Sequence, residues 1–357
     1  MARFRYVIAD VFTGTPLTGN QLAVYTNASD IPEDRMQDIA REMNFSETVF
    51  VLPPKGDGHV HIRIFTPSTE LPFAGHPTLG SAFVLAGPLQ LTEIRLETGI
   101  GMVPVQVERE GAKIVFGWMS QPIPTWAPYE REDELLEALG VETSGLPVEV
   151  YENGPRHVYV RLGSEEAVAA VDPDIGRLGK LGAVGVSTFA GGGTTWKTRM
   201  FGPGLGVIED PATGSAAGPL GVHLLRHGLI QSGQQIELTQ GAEILRPSKL
   251  HVRVTGTPEK LETVEVGRGR DRRERRAAAL GSPRSSAQGG ISPADTTSSF
   301  WEERDERTSH RIARGHLRAG RRDRRYRWSS RTGAAHLHEH VGHLQGRVHA
   351  GRIDLED

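Results

Sequence analysis

The sequence predicts an α+β protein built from two similar lobes. Three observations predict it. Short apolar runs of strand length are interleaved with only a few helical patterns. One motif recurs in the same order in both halves of the chain. A proline-bearing stretch, Gln121 to Tyr129, separates those halves like a linker.

Taken in order, Phe4 to Val11 reads as a strand, a turn-rich segment Thr13 to Asn20 follows, and Gln21 to Tyr25 reads as a second strand. Asp30 is placed to cap a helix with Pro32 near its first turn, and Met36, Ile39, Ala40 and Met43 fall on one buried face. Thr48 to Leu52 is the next strand, which puts Glu47 at a helix-to-strand junction. Val60, Ile62 and Ile64 alternate with polar neighbours as in a half-buried strand, and further short strands run from Ile94 to Trp118. Beyond the linker, Glu130 to Leu139 is helical in pattern, Val148 to Tyr151 and His157 to Leu162 are strand-like, and Leu220 to His227 is a helix ended by Gly228. The expected division is 1–120 for the first lobe, 121–129 for the linker and 130–267 for the second lobe.

The repeat pairs Arg63-Ile64-Phe65-Thr66-Pro67, followed by Glu70-Leu71-Pro72-Phe73-Ala74-Gly75-His76, with Arg199-Met200-Phe201-Gly202-Pro203, followed by Glu209-Asp210-Pro211-Ala212-Thr213-Gly214-Ser215. Both copies lead into small-residue helical runs. Duplicated loops of this kind face each other naturally across a cleft.

Composition narrows the chemistry. The chain has no cysteine, so thiol nucleophiles, thiolate metal sites and thiol-based epimerisation are excluded. Its N-terminus lacks the apolar core of a signal peptide and no apolar run reaches membrane-spanning length, so a cytoplasmic protein without a membrane partner is expected. The formal charge of −3 hides two unlike parts: residues 268–357 carry 20 arginines, no lysine and 12 acidic residues, whereas the preceding residues carry 21 basic and 32 acidic ones. The boundary lies at Gly267.

At Gly75-His76 and Gly214-Ser215 a glycine-permitted turn enters a helix, where unpaired N–H groups and the dipole favour an anion. Two such ends in one cleft would receive a small carboxylate, although either glycine could simply cap its helix. Glu47, flanked by Phe45, Val49 and Phe50, suits a proton-shuttling acid held near neutrality, or else is an exposed or capping residue. His76 reads equally as a structural histidine, and Asp210 as a turn residue. Gly191-Gly192-Gly193-Thr194-Thr195 lacks the ending of a phosphate loop, and the cluster His336, His338, His340 and His343 is read as adventitious. No metal site and no cofactor are expected.

The ordered blocks Asp10-Val11-Phe12-Thr13 with Pro16-Leu17-Thr18-Gly19-Asn20, Met36 to Thr48, Phe65-Thr66-Pro67 through Gly75-His76-Pro77-Thr78, Glu209 to Ala216, and Gln240-Gly241 with Arg246-Pro247-Ser248 resemble the PhzF-like isomerases of phenazine biosynthesis. The resemblance runs from about Phe4 to about Gly267. It implies a diaminopimelate epimerase-like fold, two pseudo-symmetric lobes each formed by a small β-sheet or barrel wrapped around a central helix, with the site between them. It implies Glu47 as acid/base, assisted by His76, Asp210 and Ser215, and substrate contacts from Gly75, Gly214, Asn20, Ser46 and Thr213. The epimerase relatives place two cysteines at the helix starts. Here His76 and Ser215 stand there, which leaves a single-carboxylate shuttle moving a proton between carbons of a small carboxylate substrate. In the phenazine pathway that substrate is a hydroxylated dihydroanthranilic acid. Relatives are commonly dimers, so a homodimer is expected. The competing functions are a non-catalytic small-molecule or protein-binding member of the fold and a thiol-independent amino-acid epimerase.

After Gly267, where relatives continue with a glycine and a final strand, the run Arg268 to Arg276 looks like a shifted reading frame of GC-rich coding sequence. The tail 268–357 is expected to be frameshifted or disordered rather than a third domain, with nucleic acid an unlikely partner given its interspersed acids.

Overall fold

The computed structural model describes residues 2–269 and 349–355. The arginine-rich run beyond Gly269 and the four clustered histidines of the tail lie outside the described residues.

The first lobe opens with antiparallel β1 (Ala2–Val11) and β2 (Asn20–Tyr25). Helix α1 (Glu33–Met43) crosses to β3 (Glu47–Leu52), which runs parallel to β2. β4 (Val60–Phe65) returns antiparallel, and the two-residue β5 (Glu70–Leu71) folds back on it. Helix α2 (Gly75–Leu89) leads to β6 (Glu93–Thr98), parallel to β4, and β7 (Gly101–Glu110) and β8 (Lys113–Gln121) complete the lobe as an antiparallel meander.

The second lobe repeats this order strand for strand. β9 (Thr125–Pro128) and helix α3 (Glu132–Leu139) precede β10 (Glu149–Glu152) and β11 (Arg156–Arg161), which are antiparallel. Short helices α4 (Glu165–Ala169) and α5 (Ile175–Gly179) cross to β12 (Gly185–Gly192), parallel to β11. β13 (Thr195–Gly202) is antiparallel to β12, and the short β14 (Val207–Asp210) folds back on it. Helix α6 (Gly214–Arg226) leads to β15 (Gln235–Gln240), parallel to β13, and then β16 (Ser248–Gly256) and β17 (Leu261–Gly269). β17 pairs antiparallel with β8 and so joins the lobes into one sheet system.

The sequence repeat has a physical content. Arg63 grips Glu70 through Nε and Nη2 at 2.7 and 2.8 Å and lies over the Phe65 ring. Arg199 grips Glu209 through the same two nitrogens at 2.9 Å each and lies over Phe201. Each fork ties the strand before the loop to the short strand after it, so both copies of Arg-x-Phe…Glu hold the loop that delivers the chain into α2 or α6.

Those two helices are the lobes' cores. Leu79, Ala82, Phe83 and Ala86 of α2 are buried, as is every residue of α6 from Gly214 to Leu225. A helix enclosed on all sides has no polar face to offer, which is why both read as small and apolar. α6 also contains Pro219, which cannot donate to the carbonyl of Ser215 four residues back. The Asn153 amide supplies that missing hydrogen bond at 3.1 Å, which explains how an interior proline is tolerated.

Several expectations are corrected. α1 starts at Glu33 with Pro32 at its cap and no side-chain cap bond, so Asp30 does not cap it. Pro32 fixes φ for helix entry by itself, and the other end closes on Asn44 in a left-handed conformation. The helix expected from Leu220 begins at Gly214 and is continuous. Part of the inter-lobe linker is the strand β9, paired with β10. The last body strand runs two residues past Gly267 to Gly269. Finally, β18 (His349–Leu355) lies antiparallel along β1, with Phe4 opposite Ile353. This part of the tail, expected to be frameshifted or disordered, thus covers the outer edge of β1. β18 occupies on β1 the position that β9 occupies on β10, and each follows one of the two strands, β17 and β8, that join the lobes.

One buried group strains this arrangement. Arg268 is 6 % exposed, its guanidinium lies 4.4 Å over the Phe83 ring, and its Nε has no partner among the described residues. Among the described residues its Nη2 donates to the Thr13 carbonyl, 3.5 Å away, and burial pulls its pKa down to about 10 against the upward pull of Asp10. Arg268→Met keeps the stem over Phe83 and removes an under-partnered charge, so we expect stability to rise by about 1–3 kcal/mol in denaturant titration; a loss of stability would mean that the guanidinium is adequately paired.

Candidate active site

The helices α2 and α6 meet end to end at their N-termini. A Cβ built on Gly75 would lie 2.5 Å from both the Gly214 carbonyl carbon and the Ser215 nitrogen, and one on Gly214 would lie 2.9 Å from the His76 nitrogen. Glycine is required at both positions because backbone meets backbone there. In α6 the N–H groups of Ala216 and Ala217 are spent on the Thr213 carbonyl. Those of Gly214 and Ser215 precede the first intrahelical bond and adjoin the Gly75 turn. Two helix N-termini thus share one place, with their positive dipole ends together.

Glu47 is the first residue of β3, held beside this junction because β3 pairs with β2 from its first residue, Glu47 opposite Leu22. Its Oε2 lies 2.8 Å from Nδ1 of His76, the second residue of α2. The His76 ring is 2 % exposed, and its Nε2 is buried without a partner among the described residues. Asp210, at the end of β14, is enclosed: Oδ1 accepts from the Asn20 amide at 2.8 Å and the Ser46 hydroxyl at 2.7 Å, and Oδ2 accepts from the Thr213 hydroxyl at 2.6 Å. Burial, and then the charge of Glu47, push its pKa up to about 6, against the opposing pull of His76 and of the Thr213 and Ser46 hydroxyls. Gln240 completes the cage, donating to the Asp210 carbonyl and accepting from the Thr213 N–H.

The structure therefore brings together every candidate residue of the first lobe and most of those of the second. Gly75 touches Gly214, His76 meets Glu47, and Asn20, Ser46 and Thr213 converge on Asp210. In this structure the polar side-chain atoms of those last three are directed at Asp210. Ser215, the second residue of α6, does not join that cluster: its Oγ lies 3.2 Å from Nε2 of His157 on β11. The sequence pattern does not single out His157, nor Gln121, which donates to the Gly214 carbonyl at 2.8 Å, nor Asn153. The available signal was Pro219, whose missing N–H leaves the Ser215 carbonyl in need of a donor.

Two further clusters frame the site. Arg246 donates to Asp10 at 2.7 Å and to the carbonyls of Gly19 and Thr18, while the Gly19 N–H reaches the Pro247 carbonyl. The turn carrying Asn20 is thereby pinned to the second lobe. At the far end of α6, Glu149 accepts from Tyr151, His223, Arg226 and His227. Burial raises its carboxyl pKa, but these hydrogen bonds prevail and hold it well below the usual carboxylate range. Glu149, His223 and His227 are the only group with metal-ligating spacing among the described residues. Arg226, 2.7 Å from the carboxylate, already supplies the cation, and the group serves as an ion-pair anchor for α6. Gly191 to Thr195 closes the hairpin between β12 and β13, with Gly193 and Thr194 as its turn.

Two lobes of duplicated topology, with Glu47, His76 and Asp210 gathered where their central helices meet, have the architecture of the diaminopimelate epimerase-like fold. A hydroxyproline epimerase from Agrobacterium vitis shares the fold at 12% identity, with a TM-score of 0.51 over 75% of this chain and 91% of that one. The chain belongs to the phenazine biosynthesis-like protein family, PhzC-PhzF, whose family model matches residues 9–270. It is an isomerase of the PhzF type. It is 52% identical over 262 residues to the trans-2,3-dihydro-3-hydroxyanthranilate isomerase of Pseudomonas aeruginosa, across 73% of this chain and 94% of that one. A PhzF-family phenazine biosynthesis protein from Bacillus anthracis superposes with a TM-score of 0.66 at 25% identity, over 75% of this chain and 96% of that one. Among the described residues, no helix is long and apolar enough to cross a membrane.

Proposed function

We propose that this isomerase moves a proton between carbons of a small cyclic carboxylate, trans-2,3-dihydro-3-hydroxyanthranilate, with Glu47 as the shuttle. The observation that carries the proposal is the position of Glu47: a half-buried carboxylate on His76, beside the caged Asp210, where two helix N-termini converge. The relative at 52% identity supplies the substrate.

Glu47 takes a proton from a ring carbon, breaking one C–H bond as the adjacent π system shifts, and returns it to another carbon on the same face. The helix N-termini stabilise the negative charge that develops beside the substrate carboxylate. His76 holds one Glu47 oxygen so that the other faces the ring. Asp210, its pKa raised by burial and by the charge of Glu47, holds a proton more readily than an ordinary carboxyl and so adjusts the charge around the shuttle. The reaction is redox-neutral and needs only proton transfer, which these side chains supply without a cofactor.

The test is incubation of the protein with this substrate in deuterated water, followed by NMR and mass spectrometry. We expect migration of the ring double bond, with deuterium appearing at the receiving carbon to the extent that the proton on Glu47 exchanges with solvent before it is returned. Inversion of one stereocentre without double-bond migration would establish an epimerase instead, and binding with neither migration nor exchange would establish a non-catalytic receptor.

A further inference from the structure

The Ser215 hydroxyl stands at the α6 end of the site, and its partner is a buried histidine that the proposed reaction does not use. His157 is 1 % exposed. Its Nε2 lies 3.2 Å from Ser215 Oγ, and its Nδ1 is buried without a partner among the described residues. Nδ1 faces the backbone of Gly185, where an added Cβ would come within 2.6 Å of it. Burial pulls the pKa of this imidazole down to about 3, so the ring is neutral throughout the working range and carries a single proton.

The position of that proton decides what Ser215 can do. With the proton on Nδ1, a buried donor would point at Gly185 with nothing to accept it, and the Ser215 proton would be consumed by Nε2. With the proton on Nε2, the only unmet group is a bare lone pair, which costs less to bury than an N–H. Nε2 then donates to Ser215 Oγ, and the serine's own proton is free to turn toward the cleft.

We infer that His157 is a positioning residue that, as its Nε2–H tautomer, donates to Ser215 and so commits the serine hydroxyl to donating toward an anionic substrate group at the start of α6. The inference rests on the functional reading above and deepens it. The site recognises a carboxylate because its hydroxyl is fixed as a donor alongside the Gly214 and Ser215 N–H groups. A neutral amide offers that hydroxyl a weaker acceptor than a carboxylate oxygen does.

The tautomer is read directly by nitrogen NMR of protein labelled in histidine, on the unmodified chain. We expect His157 to show a protonated Nε2 and a bare Nδ1 between pH 6 and 8, with the Nε2 signal moving in Ser215→Ala. A protonated Nδ1 overturns the inference. Kinetics give a second decision. His157→Phe is expected to raise KM about tenfold, the loss of roughly one hydrogen bond, with kcat within about threefold of the original. His157→Gln, whose amide donates from nearly the same place, should restore KM. In a Ser215→Ala background, His157→Phe should add nothing, because the two residues act through one hydrogen bond. Additive effects, or failure of Gln to rescue a folded protein, overturn the assignment. Lack of turnover of the dihydroanthranilate by the unmodified protein would instead sink the functional reading, and the tautomer measurement would still decide this one.

Discussion

Glu47→Gln is expected to lower turnover by ~10³-fold, within the range that a positioned acid/base group contributes, while leaving the fold and ligand affinity nearly unchanged. The amide has the shape of the carboxylate and still hydrogen-bonds His76 Nδ1, 2.8 Å away in the native protein. It cannot accept a proton from carbon and return it. The substitution also removes a charge that pushes Asp210 up, so the caged carboxyl should titrate lower in the variant. Steady-state turnover, deuterium incorporation and calorimetric binding of a carboxylate analogue together separate chemistry from affinity. A folded Gln variant within tenfold of normal turnover would remove Glu47 from the mechanism.

Gly75→Ala carries the other large effect. The added methyl would sit 2.5 Å from backbone atoms of Gly214 and Ser215, and backbone cannot swing aside as a flexible side chain does. α6 is enclosed from Gly214 to Leu225, so relief requires pushing the two helix ends apart inside a packed core. We expect a loss of about 3 kcal/mol, at the upper end of overpacking costs. Turnover in the folded fraction should fall by about 10²-fold, because the two N-termini would no longer converge on one point. Gly87→Ala, in the same helix with open space around its Cα, provides the control and should be neutral or slightly stabilising. Equal effects at Gly75 and Gly87 in denaturation and kinetics would refute the close-contact argument.

Much of this was legible in the sequence wherever it depends on neighbours in the chain. The Arg-x-Phe…Glu repeat is local chemistry, and it carries the matched Arg63–Glu70 and Arg199–Glu209 forks. Glycine before a helical run marks a helix start, and Glu47 was placed at its junction by the pattern on either side. What could not be read was partnership at long range. Asn20 and Ser46 meet Asp210 across more than 160 positions of chain, and no periodicity encodes that. Nor does His157 announce its serine: it sits within an ordinary strand, and only the folded sheet sets it beside α6. β18 escaped for the same reason. His349 to Leu355 has neither a clean alternation nor a favourable compositional setting, and its strand conformation comes from the row of unpaired groups on β1 that it satisfies.

The crossed placement of β9 and β18 also bears on how the molecule is made. Each lobe borrows its outermost strand from the segment that leaves the other lobe, so neither is a self-sufficient unit that could be expressed alone with both rims closed. On the ribosome the rim of the second lobe has its partner in hand before β10 emerges, since β9 is already out. The first lobe must wait. Its strand β1 is made long before β18 and stays without that outer neighbour until residue 355 has been added, which leaves a bare strand edge open while every strand between them is synthesised. A chain stopped shortly after β17 would contain every proposed catalytic group and still be released with that edge unzipped.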